Sequence, residues 1–200
     1  MDHHDGERPG SRPAGRTAGV AAAGAAAAAG PPPSTVRGAV VTVSDRCARG
    51  EAEDTSGPLA ARLLAETGVL AEVTVVPDGA ESVAAALTAA LAAGARVVLT
   101  TGGTGVAPRD RTPEGTRQVL VRELPGIAEA IRARGAQTVP AAVLTRGIAG
   151  IAEGAAGEAL VVNAPGSPGG VRDVVAVLAP LVHHVVDQLG GGDHPRPPQG

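Results

Sequence analysis

From residue 37 onward the chain alternates short apolar, β-branched runs with longer segments whose apolar residues recur at helical spacing. GAVVTVS (38–44), LAEVTVV (70–76), ARVVLTT (95–101), AAVLT (141–145) and ALVVN (159–163) predict five strands. Between the first two, TSGPLAARLLAETG (55–68) predicts a helix with Thr55 or Ser56 as cap, Pro58 in the first turn and Gly68 at the end. Val83, Leu87 and Leu91 lie four apart in a second helix over 81–93, stopped by Gly94. Thr112-Pro113-Glu114 opens a third, running through Glu123, with another after Leu124-Pro125-Gly126. The last helix is marked by a stripe from Val171 through Val174, Val175, Leu178, Val182 and Val185 to Leu189, with Pro180 inside it and expected to bend it. Strands alternating with helices predict an α/β domain with a mainly parallel sheet.

Composition narrows the chemistry. The chain has 200 residues and no Phe, Tyr or Trp, so its core must be aliphatic. All 17 basic residues are arginines, which excludes a Schiff-base lysine and a Walker-type lysine and leaves phosphates to arginine and backbone amides. A net charge of -3 without aromatic stacking platforms argues against nucleic acid as a partner. Cys47 is the single cysteine, so an internal disulfide and a cysteine zinc cluster are excluded and a reducing cytoplasm is the expected location. Residues 1–35 are rich in Ala, Gly, Pro and Arg without periodicity and read as a disordered tail; 36–190 form the domain, and 191–200 a flexible second tail. The alanine run lacks the Leu, Ile and Phe of a secretory signal, and no run of 18 apolar residues predicts a membrane span.

In a parallel sheet, ligands gather where strands end and helices begin. Three loops fall there: Ser44-Asp45-Arg46, Thr101 to Thr112, and Asn163 to Gly170. In the middle one, Gly102, Gly103 and Gly105 let backbone N–H groups turn inward, and Thr101 and Thr104 add hydroxyls; this suits a phosphate, or forms only a tight turn. Asp110, between Arg109 and Arg111, is placed for Mg²⁺ beside such a cradle, or is neutralised by its neighbours. Asp78 in Val76-Pro77-Asp78-Gly79 reaches the same edge, although from spacing alone it reads as a turn residue capping the next helix. Pro165, Gly166 and Ser167 turn into the final helix and offer a second anion site, with Ser167 as cap; Asn163, the only asparagine, reads as a base-reading amide or a turn former. His183 and His184 are adjacent on one helix and cannot chelate one metal from the same face.

Taken together and in order, VTVSDRCARGEAEDTSGP (41–58), VVPDG (75–79), LTTGGTGVAPRDRTPEGT (99–116), ELPGIAEAIR (123–132), LTRGIAG (144–150) and VVNAPGSPGGVRD (161–173) resemble the molybdopterin adenylyltransferase family, the MogA/MoaB-like proteins related to the plant Cnx and gephyrin G domains. The resemblance covers about 37–190 and implies a three-layer α/β/α fold, a homotrimer, molybdopterin and ATP as substrates, and Mg²⁺. It makes Asp78 and Asp110 the catalytic, metal-holding acids, reversing the cap reading of Asp78. Ser44, Asp45, Thr101 to Gly105, Arg109, Asn163, Pro165, Gly166 and Ser167 become the substrate-binding set. It further implies hand-off of molybdopterin-AMP to a separate molybdate-insertion protein. Gly115 stands where the family usually has Ala, which predicts a looser helix start. Two alternatives stay open: a molybdopterin-binding protein acting at metal insertion without adenylation, and a scaffold. The two aspartates and the shortness of the chain favour the transferase.

Overall fold

The computed structural model describes residues 35–191, and all but the innermost residue of each expected tail falls outside them. β1 (Val36–Val43), β2 (Val69–Val76), β3 (Val97–Thr101) and β6 (Ala159–Ala164) pair in parallel in the order β2-β1-β3-β6. β5 (Ala149–Ala152) and β4 (Leu120–Glu123) complete the six-stranded sheet beyond β6, each antiparallel to its neighbour. The central strands are buried on both faces, which is why they read as continuous apolar runs.

Alternate residues of these strands feed two aliphatic cores. On one face Val40, Leu99, Leu160 and Val162 pack against Leu59 and Leu64 of α2 (Ser56–Ala65), Ile131 of α5 (Pro125–Ala136), and Val171, Val174 and Leu178 of α6 (Pro168–Leu178). On the other, Val41, Val98 and Val161 meet Val83, Leu87 and Leu91 of α3 (Ala80–Ala92). α4 (Thr112–Arg117) lies beside α3, and α1 (Asp45–Ala48) is one turn after β1. Helices on both faces of a mainly parallel sheet make the expected three layers.

Four elements depart from expectation. Residues 140–144 form a 3-10 turn rather than a strand: Pro140 opens it, and Val143 and Leu144 are 59% and 55% exposed. The helix expected through Glu123 ends at Arg117, and the chain continues into β4 at the sheet edge. β5, four residues including Gly150, was not foreseen. The final helix bends at Pro180 as expected, but the bend is a full break at Ala179-Pro180-Leu181 into α6 and α7 (Val182–Leu189), which meet at 57°, because Pro180 lacks an N–H and collides with the preceding turn. Among the described residues no single helix is long and apolar enough to cross a membrane.

Candidate phosphate-binding edge and acidic pair

The carboxyl ends of β1, β3 and β6 deliver three loops to one edge, and specific bonds lock them together. Gly102 N donates to Ala164 O at 3.1 Å, and Thr101 Oγ1 to Pro165 O at 3.0 Å. Gly102 lies at φ +104° and Gly103 at φ +62°, conformations that favour glycine. A Cβ on Gly102 would drive into the Val43 carbonyl, and one on Gly103 into the Thr112 hydroxyl. Gly166 packs so closely on Gly102 that a Cβ there would lie 3.2 Å from its Cα. Thr112 closes the turn, its Oγ1 donating to Gly102 O at 2.8 Å and its N–H to Gly103 O at 3.0 Å. The N–H groups of Gly103, Thr104 and Gly105 are not engaged in backbone hydrogen bonds among the described residues. Converging backbone donors of this kind can hold an anion.

Two of the acids meet across the strand ends, and the third stays on its own loop. Asp45 N donates to Asp78 Oδ2 at 2.9 Å and Asp78 N to Asp45 Oδ1 at 3.2 Å, a reciprocal pair joining the ends of β1 and β2. Arg109 forms an ion pair with Asp45, which ties the loop after β3 to the ends of β1 and β2. Asp110 turns back on its own loop, Oδ2 accepting from Ala107 N at 2.9 Å, and a Cβ on Gly105 would lie 2.7 Å from that oxygen. Asp78 does not cap the helix that follows it: α3 begins at Ala80 with Gly79 at its N-cap and no side-chain cap bond, so the spacing-based reading of Asp78 is corrected.

Other expected site residues are spent on structure. Ser44 Oγ accepts from Cys47 N and Ser167 Oγ from Gly170 N, capping α1 and α6. The Thr101 hydroxyl is bonded to Pro165, and the buried Thr104 hydroxyl accepts from Thr145 Oγ1 at 3.0 Å, so both fasten loops. Asn163 is neither a turn former nor available to read a base. It is 3% exposed within β6, its Nδ2 donates to Thr100 Oγ1 and Thr116 Oγ1, and its Oδ1 accepts from Ile148 N. The expected α2 cap is also corrected: Asp54, not Thr55 or Ser56, accepts from Ser56 N and Gly57 N, while its Oδ2 takes the Thr42 hydroxyl at 2.7 Å. Ser56 is then free to donate to Gly166 O at 2.8 Å, and these groups line a cleft of about 180 Å³ beside Ser44 and Thr101.

Arg146 carries weight that its sequence position did not signal. Its guanidinium holds Gly105 O at 2.7 Å, Asp110 O and the Glu114 carboxylate, and its own N–H donates to Thr104 O at 2.8 Å. Both ends of the 105–110 loop are thereby clamped to α4. Hydrogen bonding from Arg146 holds the Glu114 carboxyl below the ordinary glutamate range against an opposing effect of burial. Gly115, in turn, is not a loose start: a Cβ there would collide with Ala80 O and lie 2.9 Å from Val83 Cβ, so the glycine lets α4 and α3 approach.

The fold and this edge define an α/β protein whose glycine-rich loops gather where parallel strands end, the place at which such sheets take their ligands. Residues 39–184 match the family described as "Probable molybdopterin binding domain", and the chain belongs to that family. It is 39% identical over 77% of its length to a molybdopterin adenylyltransferase of Pyrococcus furiosus, of which it covers 91%. It is 40% identical over 78% of its length to a molybdenum cofactor biosynthesis bifunctional protein of Synechococcus elongatus, but spans only about half (48%) of that protein. A molybdopterin biosynthesis protein from Mycobacterium abscessus superposes with a TM-score of 0.72 at 46% identity, over 78% of this chain and 98% of that one. The structure of a tungsten cofactor synthesizing protein from Pyrococcus furiosus gives 0.72 at 38% identity, over 79% and 99%.

Proposed function

We propose that the protein is a molybdopterin adenylyltransferase of molybdenum cofactor biosynthesis. The observation that carries the reading is the convergence of the TGGTG cradle with Asp45, Asp78, Arg109 and Asp110 on one sheet edge. The cradle amides hold the terminal phosphate of molybdopterin, which is already ionised at neutral pH and needs no strong general base. One of its oxygens attacks the α-phosphorus of ATP; the new P–O bond forms as the bond to the β-phosphate bridging oxygen breaks, and pyrophosphate leaves with that electron pair. Fixed loops supply the alignment, and Arg109 shares the negative charge of the leaving group.

The donor set fits Mg²⁺. Among the described residues no cluster of three or more His, Cys, Asp or Glu side chains forms a closed metal cage. Mg²⁺ is usually bound by one or two carboxylates with substrate phosphates and water completing its shell. Asp78 and Asp110 each use one oxygen in the bonds above and keep the other for such a role. When bound, the ion neutralises phosphate charge. A homotrimer, a cytoplasmic location and hand-off of the product to a molybdate-insertion protein belong to the same reading.

The test is to supply molybdopterin, Mg²⁺ and ATP and follow pyrophosphate together with adenylated pterin, with Asp110→Asn in parallel. Pterin-dependent turnover that the variant loses is expected; tight pterin binding without turnover in the wild type overturns the transferase.

A further inference from the structure

A second depression of about 410 Å³ lies on the same edge, between the start of α5 and the β4–β5 pair. Arg117, Arg132 and Arg146 line it, with Pro125, Ala128 and Ile148 among its apolar walls. Two of the guanidiniums are matched by carboxylates: Arg117 Nε meets Glu123 at 3.0 Å, and Arg146 meets Glu114. Half-buried Arg132 instead holds the neutral Gly147 carbonyl at 3.2 Å. The volume is that of a small-molecule site. Aliphatic walls are superfluous for a bare phosphate, whereas they suit the faces of a flat ring whose carbonyl and nitrogen acceptors reach the guanidinium edges.

Composition sharpens this. Proteins commonly stack flat heterocycles on aromatic side chains, and this chain has none. Guanidinium is the planar, delocalised side chain left that stacks on rings, and three of them meet here. Arg146 also joins the two sites physically, since it lines this cleft and bonds to Gly105 O and Asp110 O of the cradle loop. We propose that this cleft seats the flat, acceptor-rich fused ring of a substrate whose phosphate end lies on the TGGTG cradle, with Arg132 as a specificity residue for that ring. The proposal rests on the reading above for the phosphate end. Pterin and adenine share the ring chemistry.

Pterins are excited and emit at longer wavelengths than protein side chains, so fluorescence anisotropy of neopterin monophosphate reads binding directly. AMP is titrated separately by calorimetry. Wild type, Arg132→Gln and Arg132→Lys are compared, with thermal melting as the folding control. Loss of about tenfold in affinity for one ligand in both variants, with unchanged melting, is expected, because Lys keeps the charge and loses the plane. The ligand that shows the loss identifies the ring as pterin or adenine. Unchanged affinity for both ligands in Arg132→Gln overturns the proposal, and so does full rescue by Lys, which would mark a simple charge site. Ring binding that depends on Arg132 in a protein with no adenylylation turnover would sink the transferase reading and leave the cleft standing.

Discussion

Replacing Asn163 by Ala separates a structural amide from a ligand-reading one. The side chain is buried between β3, α4 and the start of β5, and links Thr100, Thr116 and the Ile148 N–H at 2.9–3.2 Å. Removing it orphans the Ile148 donor in a site without solvent, at about 1–3 kcal/mol, and forfeits two further bonds of about 0.5–1.5 kcal/mol each, part of which the threonine hydroxyls recover by rotating. A total of roughly 2–5 kcal/mol corresponds in a domain of this size to a fall in Tm of about 5–15 °C. Far-UV circular dichroism is the probe, since the chain has no aromatic fluorescence. Well below the lowered Tm, affinity for a phosphorylated pterin stays within about threefold of wild type, as expected for a group that does not touch ligand. Melting within about 2 °C of wild type combined with lost binding would refute the structural assignment.

Three further outcomes follow from close contacts and charge. Gly102→Ala forces a left-handed position and a collision with Val43 O, so it abolishes binding of phosphorylated ligand and costs about 1–3 kcal/mol in urea unfolding. Gly115→Ala, which helix propensity alone makes stabilising by about 0.5–1 kcal/mol, is instead destabilising, because its Cβ meets the Ala80 carbonyl; a raised Tm contradicts this. Because Arg146 lowers the folded-state pKa of Glu114, that pair contributes its full stability above the ordinary glutamate value and loses it as pH falls through the lowered one. The stability gap between wild type and Glu114→Gln should therefore be level at neutral pH and shrink only below about pH 4.3, as read by urea melts across pH 3–7.

What the chain discloses by itself depends on how each residue earns its place. β1, β3 and β6 were legible because both faces are buried, so apolar β-branched runs are obligatory. β4 hides because it lies at the edge, is broken by a register shift and carries Arg122 and Glu123 in the exposed part. AAVLT reads as a strand by composition, but Pro140 and the tight turn leave its apolar side chains outside the sheet. At the site, glycines and acids in short loops announce themselves. Arg146 does not, because its partners lie 32 or more residues away and no local pattern records them, while Asp54 caps its own turn locally but stands directly before the equally cap-like Thr55 and Ser56. Asn163 misled for the opposite reason: it ends an apolar strand beside a ligand-type loop, yet its amide is consumed inside the protein.

The central claim is that this edge transfers the adenylyl group of ATP to the phosphate of molybdopterin. Parallel incubations with molybdopterin and ATP labelled with ³²P at the α or the γ position test it most directly. The α label should appear on the pterin and the γ label in pyrophosphate, both lost in Asp110→Asn. A γ label on the pterin, or no pterin-bound label from either nucleotide, would contradict the account.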